Sequence, residues 1–186
     1  MMNRNDFVRI VDHVPYARQY LPYATADNFT GHVIYDFQDA WLRFGVVQKL
    51  AAAAEELAAK GYGILVWDGY RPVYAQARLY EIVPDPNFVS PPGVGIQNHC
   101  RGKAVDVTLY DLATGELVEM PSEYDDFTGK AHRLCPDITE AAAANARILE
   151  EAMERHGLKG YIGEWWHYND TEDYPIEEAF IPRSGK

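Results

Sequence analysis

Five polar residues that lie far apart in the chain have the side-chain types that bind a catalytic metal ion and hydrolyse an amide bond with it. A catalytic zinc typically takes three protein ligands, drawn from neutral imidazole and carboxylate, and keeps a fourth position open for water. The five residues are Arg71, His99, Asp106, Glu164 and His167. Because His99, Asp106 and His167 form a His-Asp-His set, the sequence predicts a zinc site built from these three.

Glu164 and Arg71 have expected roles beside such a metal. A carboxylate that is not a ligand can act as general base and take a proton from the attacking water, which predicts this role for Glu164. Arg71 follows an apolar segment and a glycine turn, and its guanidinium is expected to face the oxyanion. Asp68 is expected to hold that guanidinium in place, and the alternative is a purely structural Asp-Arg pair in a turn.

Each short motif is weak by itself, because the chain contains 28 acidic residues and six histidines. Without a partner histidine, Asp106 would be interpreted as a carboxylate on the solvated face of an edge strand. Cys100 could be a ligand or a nucleophile, but a small semi-buried side chain is the favoured interpretation, since no second thiol lies nearby in sequence. His156 is interpreted as a surface residue at the end of a helix.

Size, charge and composition narrow the class of protein. A chain of 186 residues with 47% hydrophobic residues predicts one domain, spanning residues 1–186, with one substantial core. The formal net charge of −11 argues against nucleic acid or an anionic membrane surface as a partner. The 13 tyrosines and four tryptophans are expected to line a concave site or a thick core.

Targeting signals and cysteine usage suggest a compartment. The first residues lack the apolar stretch of a signal peptide, and no run of apolar residues is long enough to cross a membrane. The two cysteines, Cys100 and Cys135, are too few for a disulfide framework. We therefore expect a cytoplasmic protein, while the sequence leaves open whether it forms a homo-oligomer.

Periodicity and turn signals predict an α+β fold with a small, mainly antiparallel sheet packed against helices. Long helices are expected over residues 39–60 and 137–156, which end at Gly61 and Gly157, with a shorter helix after Pro72. Strands are expected over residues 32–35, 62–67, 104–110 and 165–168. Residues 84–95 contain four prolines and two glycines, which predicts an irregular loop that forms either a wall of the site or a plain surface connection.

Local geometry suggests how the candidate residues could meet. Alternation in the strand over residues 104–110 turns Asp106 away from the most apolar face, and Gly102 lets the chain fold back so that His99 can reach the same metal. Glu164 and His167 are three apart, so in a regular strand their side chains would point to opposite sides. We therefore expect a bulge, bend or helical turn beside Gly163. The neighbouring Trp165 and Trp166 are expected to exclude water from the site and so to strengthen its electrostatic interactions.

These residues together resemble the zinc D-alanyl-D-alanine dipeptidases of the vancomycin-resistance (VanX-like) type, a branch of the DD-peptidase family that shares its fold with the Hedgehog signalling domain. The resemblance covers nearly the whole chain. It is carried by residues 23–31, 67–72, the pattern from His99 to Tyr110, and residues 164–168, whose sequence is Glu-Trp-Trp-His-Tyr.

The resemblance implies one zinc per chain, bound by His99, Asp106 and His167, with Glu164 as base and Arg71 stabilising the tetrahedral intermediate. It also implies that Tyr23 and Asp125 receive the ammonium end of a small dipeptide substrate, a role that composition does not suggest. The position of Asn98, directly before the first histidine, is expected to contact the substrate.

The chain departs from the family at that position. Family members carry small hydroxyl residues before the first histidine, whereas this chain has Gln97 and Asn98, so the preference for D-Ala-D-Ala over another short dipeptide is open. Three alternatives also stay open: a zinc DD- or LD-carboxypeptidase acting on peptidoglycan stem peptides, a non-catalytic zinc-binding recognition module, and a metal-free aromatic-lined binding domain. The exact physiological role, whether resistance, wall recycling or nutrient use, is not predicted.

Overall fold

The computed structural model describes residues 2–86, 88–95 and 97–183 and shows a mixed α and β fold. The three helices in this part of the chain are α1 (Phe44–Ala58), α2 (Val73–Ile82) and α3 (Glu140–Arg155). The strands are β1 (Phe7–Arg9), β2 (Ala17–Gln19), β3 (Trp41–Arg43), β4 (Tyr62–Asp68), β5 (Ala104–Asp111), β6 (Leu158–Tyr161) and β7 (Glu164–Asp170).

Five strands form one sheet in the order β2-β4-β5-β7-β6, and β1 pairs with β3 in a separate two-stranded sheet. The pairings β4-β5, β5-β7 and β7-β6 are antiparallel, and β2 pairs with β4 in parallel. The predicted α+β class with a mainly antiparallel sheet is therefore confirmed. The central position of β5 means that Asp106 does not lie on an edge strand, and its side chain is buried.

Helices α1 and α3 pack on each other and on strands of the sheet. Their fully buried residues include Leu50 and Leu57 on α1 and Leu149 on α3, between alanines that allow close approach. The side chain of Thr139 accepts a hydrogen bond from the Ala142 amide at 3.0 Å, which caps the start of α3. No helix among the described residues is long and apolar enough to cross a membrane.

The structure corrects three details of the predicted elements. Helix α1 begins at Phe44 rather than at residue 39, because residues 41–43 pair with β1 as an extended strand. Residues 32–35 are not a strand, since the amides of Ile34 and Tyr35 both donate to the carbonyl oxygen of Tyr23. Strand β7 begins at Glu164 and extends to Asp170, beyond the predicted range.

Candidate active site

Two irregular pairings on either side of β5 bring polar side chains to one face of the sheet. In β4, an extra residue between Val66 and Asp68 shifts the register, so that Asp68 lies opposite Asp106. On the other side His167 of β7 lies opposite Asp106 in regular pairing. Because residues directly opposite each other share a face, the side chains of Asp68, Asp106 and His167 all project from the same side.

The second irregularity, in the pairing of β6 with β7, brings the side chains of Glu164 and His167 close together. In the β6-β7 pairing, Gly160 lies opposite Tyr168 but the next residue, Tyr161, lies opposite Glu164. Residues 165, 166 and 167 of β7 thus have no partner in β6, and the expected distortion is present. As a result a carboxylate oxygen of Glu164 lies 3.7 Å from Nδ1 of His167.

His99 reaches the same place from a short helical turn that ends at Gly102. Gly102 adopts a left-handed conformation with φ of 69°, and a Cβ there would lie 2.5 Å from the ring of Phe7. A residue with a side chain would therefore be disfavoured by both conformation and contact. This turn folds the chain back, so that His99 and Asp106 lie side by side although they are seven positions apart.

The potential ligand atoms of His99, Asp106 and His167 converge. Nε2 of His99 lies 3.3 Å from Nδ1 of His167 and 3.5 Å from Oδ2 of Asp106. Nδ1 of His167 lies 2.9 Å from Oδ1 of Asp106. Within the described part of the chain, these three side chains form a cluster that could hold a metal ion.

The outer nitrogen of each imidazole has its own partner, which fits a metal site. Nδ1 of His99 donates to the carbonyl oxygen of Gly69 at 2.7 Å, because that oxygen can only accept. Nε2 of His167 lies 2.9 Å from Oδ1 of Asn169. Hydrogen bonds of this kind fix the tautomer and direct the lone pair of the other nitrogen inward. Two imidazole nitrogens and one carboxylate are a donor set suited to zinc.

Asp106 has a further partner that sequence reasoning missed. The hydroxyl of Tyr124 donates to Oδ2 of Asp106 at 2.9 Å, and the Tyr124 ring stacks on Trp67 with centroids 4.9 Å apart. Burial alone raises the pKa of the Asp106 carboxyl, but His99 and His167 outweigh it and hold that pKa well below its usual range. The aspartate is therefore ionised, as a ligand must be.

Glu164 lies at the wall of the cavity beside the ligand cluster, with 40% of its side chain exposed. Loss of surrounding water raises the pKa of its carboxyl above the ordinary value. Trp166 lines the cavity and Trp165 lies against it edge to face, with ring centroids 5.5 Å apart and both rings buried. The two tryptophans thus exclude water from the base of the site.

The distorted β6-β7 hairpin is held from outside by Arg133, which sequence reasoning also missed. Its guanidinium donates to the carbonyl oxygens of Tyr161 at 2.7 Å and His167 at 3.0 Å, and it lies over the ring of Tyr168. The arginine therefore bridges the two strands at the point where their regular pairing is interrupted.

Arg71 is fixed by several acceptors on one side of the cavity. Asp68 accepts from Nη2 at 2.7 Å and from Nε at 3.2 Å, and Gln76 accepts from Nη1 at 2.9 Å. Each terminal nitrogen carries two N–H groups, so a second donor on each can face a ligand in the cavity. Gln76 also donates to the carbonyl oxygen of Ser90 at 2.7 Å, which ties the irregular loop to Arg71.

Tyr23 and Asp125 meet although they are separated by 102 positions. The Tyr23 hydroxyl donates to Oδ2 of Asp125 at 2.7 Å, and both residues line the cavity. Burial raises the pKa of the Asp125 carboxyl to about 7. Asn98 also lines the cavity, and its side-chain oxygen is buried without a hydrogen-bond partner among the described residues. These are polar groups available to a ligand.

The remaining candidates of the sequence have structural positions. Cys100 is buried, and burial raises the pKa of its thiol to about 11, which agrees with the interpretation as a small buried side chain. His156 lies at the end of α3 with Nε2 3.1 Å from a carboxylate oxygen of Glu56, and it does not line the cavity that contains the ligand cluster. The irregular loop contributes a wall of the cavity through Phe88, Val89 and Ser90.

All the candidate site residues except Asp68, which lies behind Arg71, line one cavity of about 560 Å³. Its volume falls in the usual range for small-molecule sites. A fold of this class with a convergent His-Asp-His cluster, an adjacent carboxylate and a buried arginine defines a metallopeptidase-like centre.

Comparisons with known proteins agree with this class. The model of the peptidase M15 family, described as D-Ala-D-Ala dipeptidase, matches residues 3–182. The chain is similar to the D-alanyl-D-alanine dipeptidase of Escherichia coli strain K12, with 35% identity over 84% of this chain and 81% of that protein. It is also similar to that of Enterococcus faecalis, with 36% identity over 82% of this chain and 86% of that protein. A solved structure of VanYB in complex with D-alanine-D-alanine is 16% identical, with a TM-score of 0.48 over 74% of this chain and 79% of that one.

The chain belongs to the peptidase M15 family of D-Ala-D-Ala dipeptidases. The resemblance stated from the motifs is thereby confirmed, and so is the prediction of a metallopeptidase.

Proposed function

We propose that this protein is a zinc-dependent dipeptidase that hydrolyses D-alanyl-D-alanine, or a closely related short dipeptide, to free amino acids. The observation that carries the proposal is the convergence of His99, Asp106 and His167 on one point, with the spare carboxylate of Glu164 3.7 Å from Nδ1 of His167. Relatives that are 35% and 36% identical over most of the chain bear the name of this activity.

The proposed ligands are Nε2 of His99, the carboxylate of Asp106 and Nδ1 of His167, holding one zinc ion per chain. When bound, zinc supplies a Lewis acid that polarises the scissile carbonyl and makes water more acidic. The outer partners of the imidazoles, Gly69 and Asn169, keep both rings oriented for this task.

The chain's own residues would move the proton and stabilise charge. Glu164 takes a proton from the attacking water and later delivers it to the leaving amine, because its carboxylate lies beside the ligand cluster without belonging to it. Arg71 directs its free N–H groups toward the developing oxyanion while Asp68 fixes the guanidinium. A structural zinc site would have no use for either residue.

The substrate would be oriented by the polar groups of the cavity wall. Asp125 and Tyr23 receive its ammonium group, and Asn98 offers an amide to the other end. Both termini of a dipeptide are charged, so a site that binds both ends selects substrates of dipeptide length. The replacement of a small hydroxyl residue by Asn98 is the place where preference among short dipeptides would change.

We further propose that residues 1–186 form one dipeptidase domain and that it works in the cytoplasm. The two cysteines of the chain are free, which suits a reducing compartment. Fractionation of the source cells with an antibody to the chain would test this location.

The decisive experiment measures the metal content and the turnover of the purified protein. We expect about one zinc per chain and hydrolysis of D-Ala-D-Ala that is lost with a chelator and restored by zinc. L-Ala-D-Ala and the tripeptide D-Ala-D-Ala-D-Ala are assayed beside it.

Each other outcome identifies an alternative. Turnover of longer stem peptides in preference to the dipeptide would indicate a carboxypeptidase. Stoichiometric zinc without hydrolysis of any peptide would indicate a recognition module, and absence of metal would contradict the proposed chemistry altogether.

A further inference from the structure

The cavity has an apolar wall that the proposed chemistry does not use. It is formed by Phe29, Leu79, Phe88, Val89 and Phe127, which come from four separate segments of the chain. Leu79 and Val89 are buried, whereas Phe88 and Phe127 each remain 48% exposed. Large apolar side chains that stay exposed at the mouth of a polar cavity are typical of a ligand-binding surface.

Three of these rings, Phe29, Phe88 and Phe127, form what we term the phenylalanine cluster. Phe127 is the middle ring, with its centroid 5.0 Å from that of Phe29 and 4.7 Å from that of Phe88. Both contacts are edge to face, a favourable arrangement of aromatic rings. The cluster therefore has a defined shape before any ligand binds.

The phenylalanine cluster adjoins the pair that is proposed to bind the substrate ammonium. The ring of Phe29 packs edge to face against that of Tyr23 with centroids 6.3 Å apart, and Tyr23 donates to Asp125. Phe127 follows Asp125 by two positions in the chain. In a dipeptide, the first side chain branches from the carbon that bears the amino group, so it would leave the backbone next to this cluster.

The size of the cavity points to a larger side chain than a methyl group. Its volume of about 560 Å³ lies within the range of sites for drug-sized ligands, and two alanine residues are much smaller than such a ligand. A methyl group beside Tyr23 and Asp125 would leave most of the three rings uncovered. A branched or aromatic side chain would cover them and displace water from apolar surface.

We propose that the phenylalanine cluster is a subsite for an apolar side chain, larger than methyl, on the N-terminal residue of the substrate. The preferred substrates are then dipeptides with a leucine-like or phenylalanine-like first residue and a small second residue. This inference rests on the proposed dipeptidase function and specifies its substrate class. The reaction is unchanged: water adds its hydroxyl to the carbonyl carbon and its proton to the leaving amine.

The test compares kcat/KM for D-Leu-D-Ala and D-Phe-D-Ala with that for D-Ala-D-Ala, with D-Ala-D-Leu as the positional control. We expect a gain of about 10- to 100-fold when the larger side chain is on the first residue. No comparable gain is expected when it is on the second residue. Equal or lower values for D-Leu-D-Ala and D-Phe-D-Ala than for D-Ala-D-Ala would overturn the proposal.

Two variants on different segments, Phe127→Ala and Phe88→Ala, locate the effect. Each is expected to lower kcat/KM for D-Leu-D-Ala about tenfold more than for D-Ala-D-Ala, because the lost contacts serve only the larger side chain. Leu134→Ala removes an apolar side chain that is 75% exposed outside this cavity, and it should leave the ratio unchanged. An equal loss for both substrates would contradict the subsite.

Binding to the zinc-loaded Glu164→Gln protein, measured by calorimetry, separates this inference from the proposed function. Tighter binding of D-Leu-D-Ala than of D-Ala-D-Ala, abolished by Phe127→Ala, supports the subsite even where the wild-type protein hydrolyses neither dipeptide. Hydrolysis of D-Ala-D-Ala together with no difference in binding would keep the proposed function and reject the subsite.

Discussion

The two faces of strand β5, at the centre of the sheet, are stabilised by different interactions. On one face of β5, Val105, Val107 and Leu109 are fully buried, and regular alternation turns them away from the cavity. On the other face Asp106 is just as deeply buried, but it is surrounded by the charged and hydroxyl groups of neighbouring segments. Packing holds the first face together, and a network of hydrogen bonds holds the second.

The difference extends to the regularity of the strands. The pairing of β5 with β7 is regular, whereas β4 and the β6-β7 hairpin each contain a shift of register. Both shifts add polar side chains to the cavity face, since they place Asp68 and Glu164 beside Asp106 and His167. Catalysis and stability therefore depend on different faces of the sheet, and a change on one face should affect one of them and not the other.

The largest expected effect on the cavity face is that of Glu164→Ala. The variant removes the proposed base but no ligand, so it should keep its metal and lose about 10²–10⁴-fold in kcat. The measurements are kcat for D-Ala-D-Ala and metal content of the same preparation. Glu81→Ala, at a position 70% exposed on α2, is the matched control and should keep the wild-type rate. Near-normal turnover by the metal-loaded Glu164→Ala protein would disprove the assigned base.

Leu149→Ala changes the buried core between the helices and the sheet instead of the cavity. Leu149 is fully buried on α3, and truncation of such a side chain lowers the free energy of unfolding by about 2–5 kcal/mol. Urea denaturation measures this loss, while kcat per folded molecule should stay within about twofold of the wild type because Leu149 does not line the cavity. A large fall in kcat at conditions where the variant is folded would show that the two faces are coupled.

Tyr124→Phe tests the network that supports Asp106. It removes only the hydroxyl that donates to Oδ2 and keeps the ring on Trp67. Loss of such an outer partner typically weakens metal affinity about 10- to 100-fold, measurable by competition with a chelator. Tyr110→Phe, on the strand that carries Asp106, loses a hydroxyl that donates to the Tyr16 carbonyl and is the matched control. Unchanged affinity in Tyr124→Phe would limit this residue to packing.

The parts of the fold and site that could be predicted from the sequence are those with a local pattern of residue types. Strand β4 is a continuous apolar run and β5 alternates apolar with more polar residues, so both have a visible pattern. The turn at Gly102 is marked by a residue that adopts positive φ readily. The distortion beside Glu164 could be predicted because Glu164 and His167 are expected to act at the same metal but are three positions apart. In a regular strand, residues at this spacing point to opposite sides. Local pattern was sufficient in each of these cases.

What could not be predicted depends on contacts between distant segments. The strands β1, β2 and β3 have three residues each, too few to display a period. Tyr124 and Arg133 lie in irregular segments, and nothing in their neighbours indicates that they bind Asp106 and the β6-β7 hairpin. Tyr23 and Asp125 came from family resemblance, because a contact over 102 positions has no local signal.

The pH dependence of substrate binding should depend on Asp125. Burial raises the pKa of this carboxyl to about 7, so it loses its charge as pH falls through that value, and its proposed attraction for the substrate ammonium weakens. We expect KM for the dipeptide to rise about tenfold per pH unit below about pH 7. Asp125→Asn should have a high KM with no such dependence, whereas a fall in kcat alone would assign the effect to Glu164. An Asp125→Asn protein with the wild-type profile of KM would contradict this role.

The smallest expected effect concerns charge on the helix side. Glu56 of α1 pairs with Arg155, Lys60 and His156, and these hydrogen bonds hold the pKa of its carboxyl at about 2 instead of 4.5. Because the folded-state pKa is depressed, the stabilisation is complete above about pH 4.5 and is lost as pH falls toward 2. Glu56→Gln should therefore lower the urea midpoint near pH 7 by a small amount, since exposed ion pairs contribute at most about 1 kcal/mol. The two proteins should converge near pH 2, and a difference that persists there would mean that Glu56 acts through packing. Turnover of the dipeptide at pH 7 should be unchanged, because the charge lies on the face that carries no chemistry.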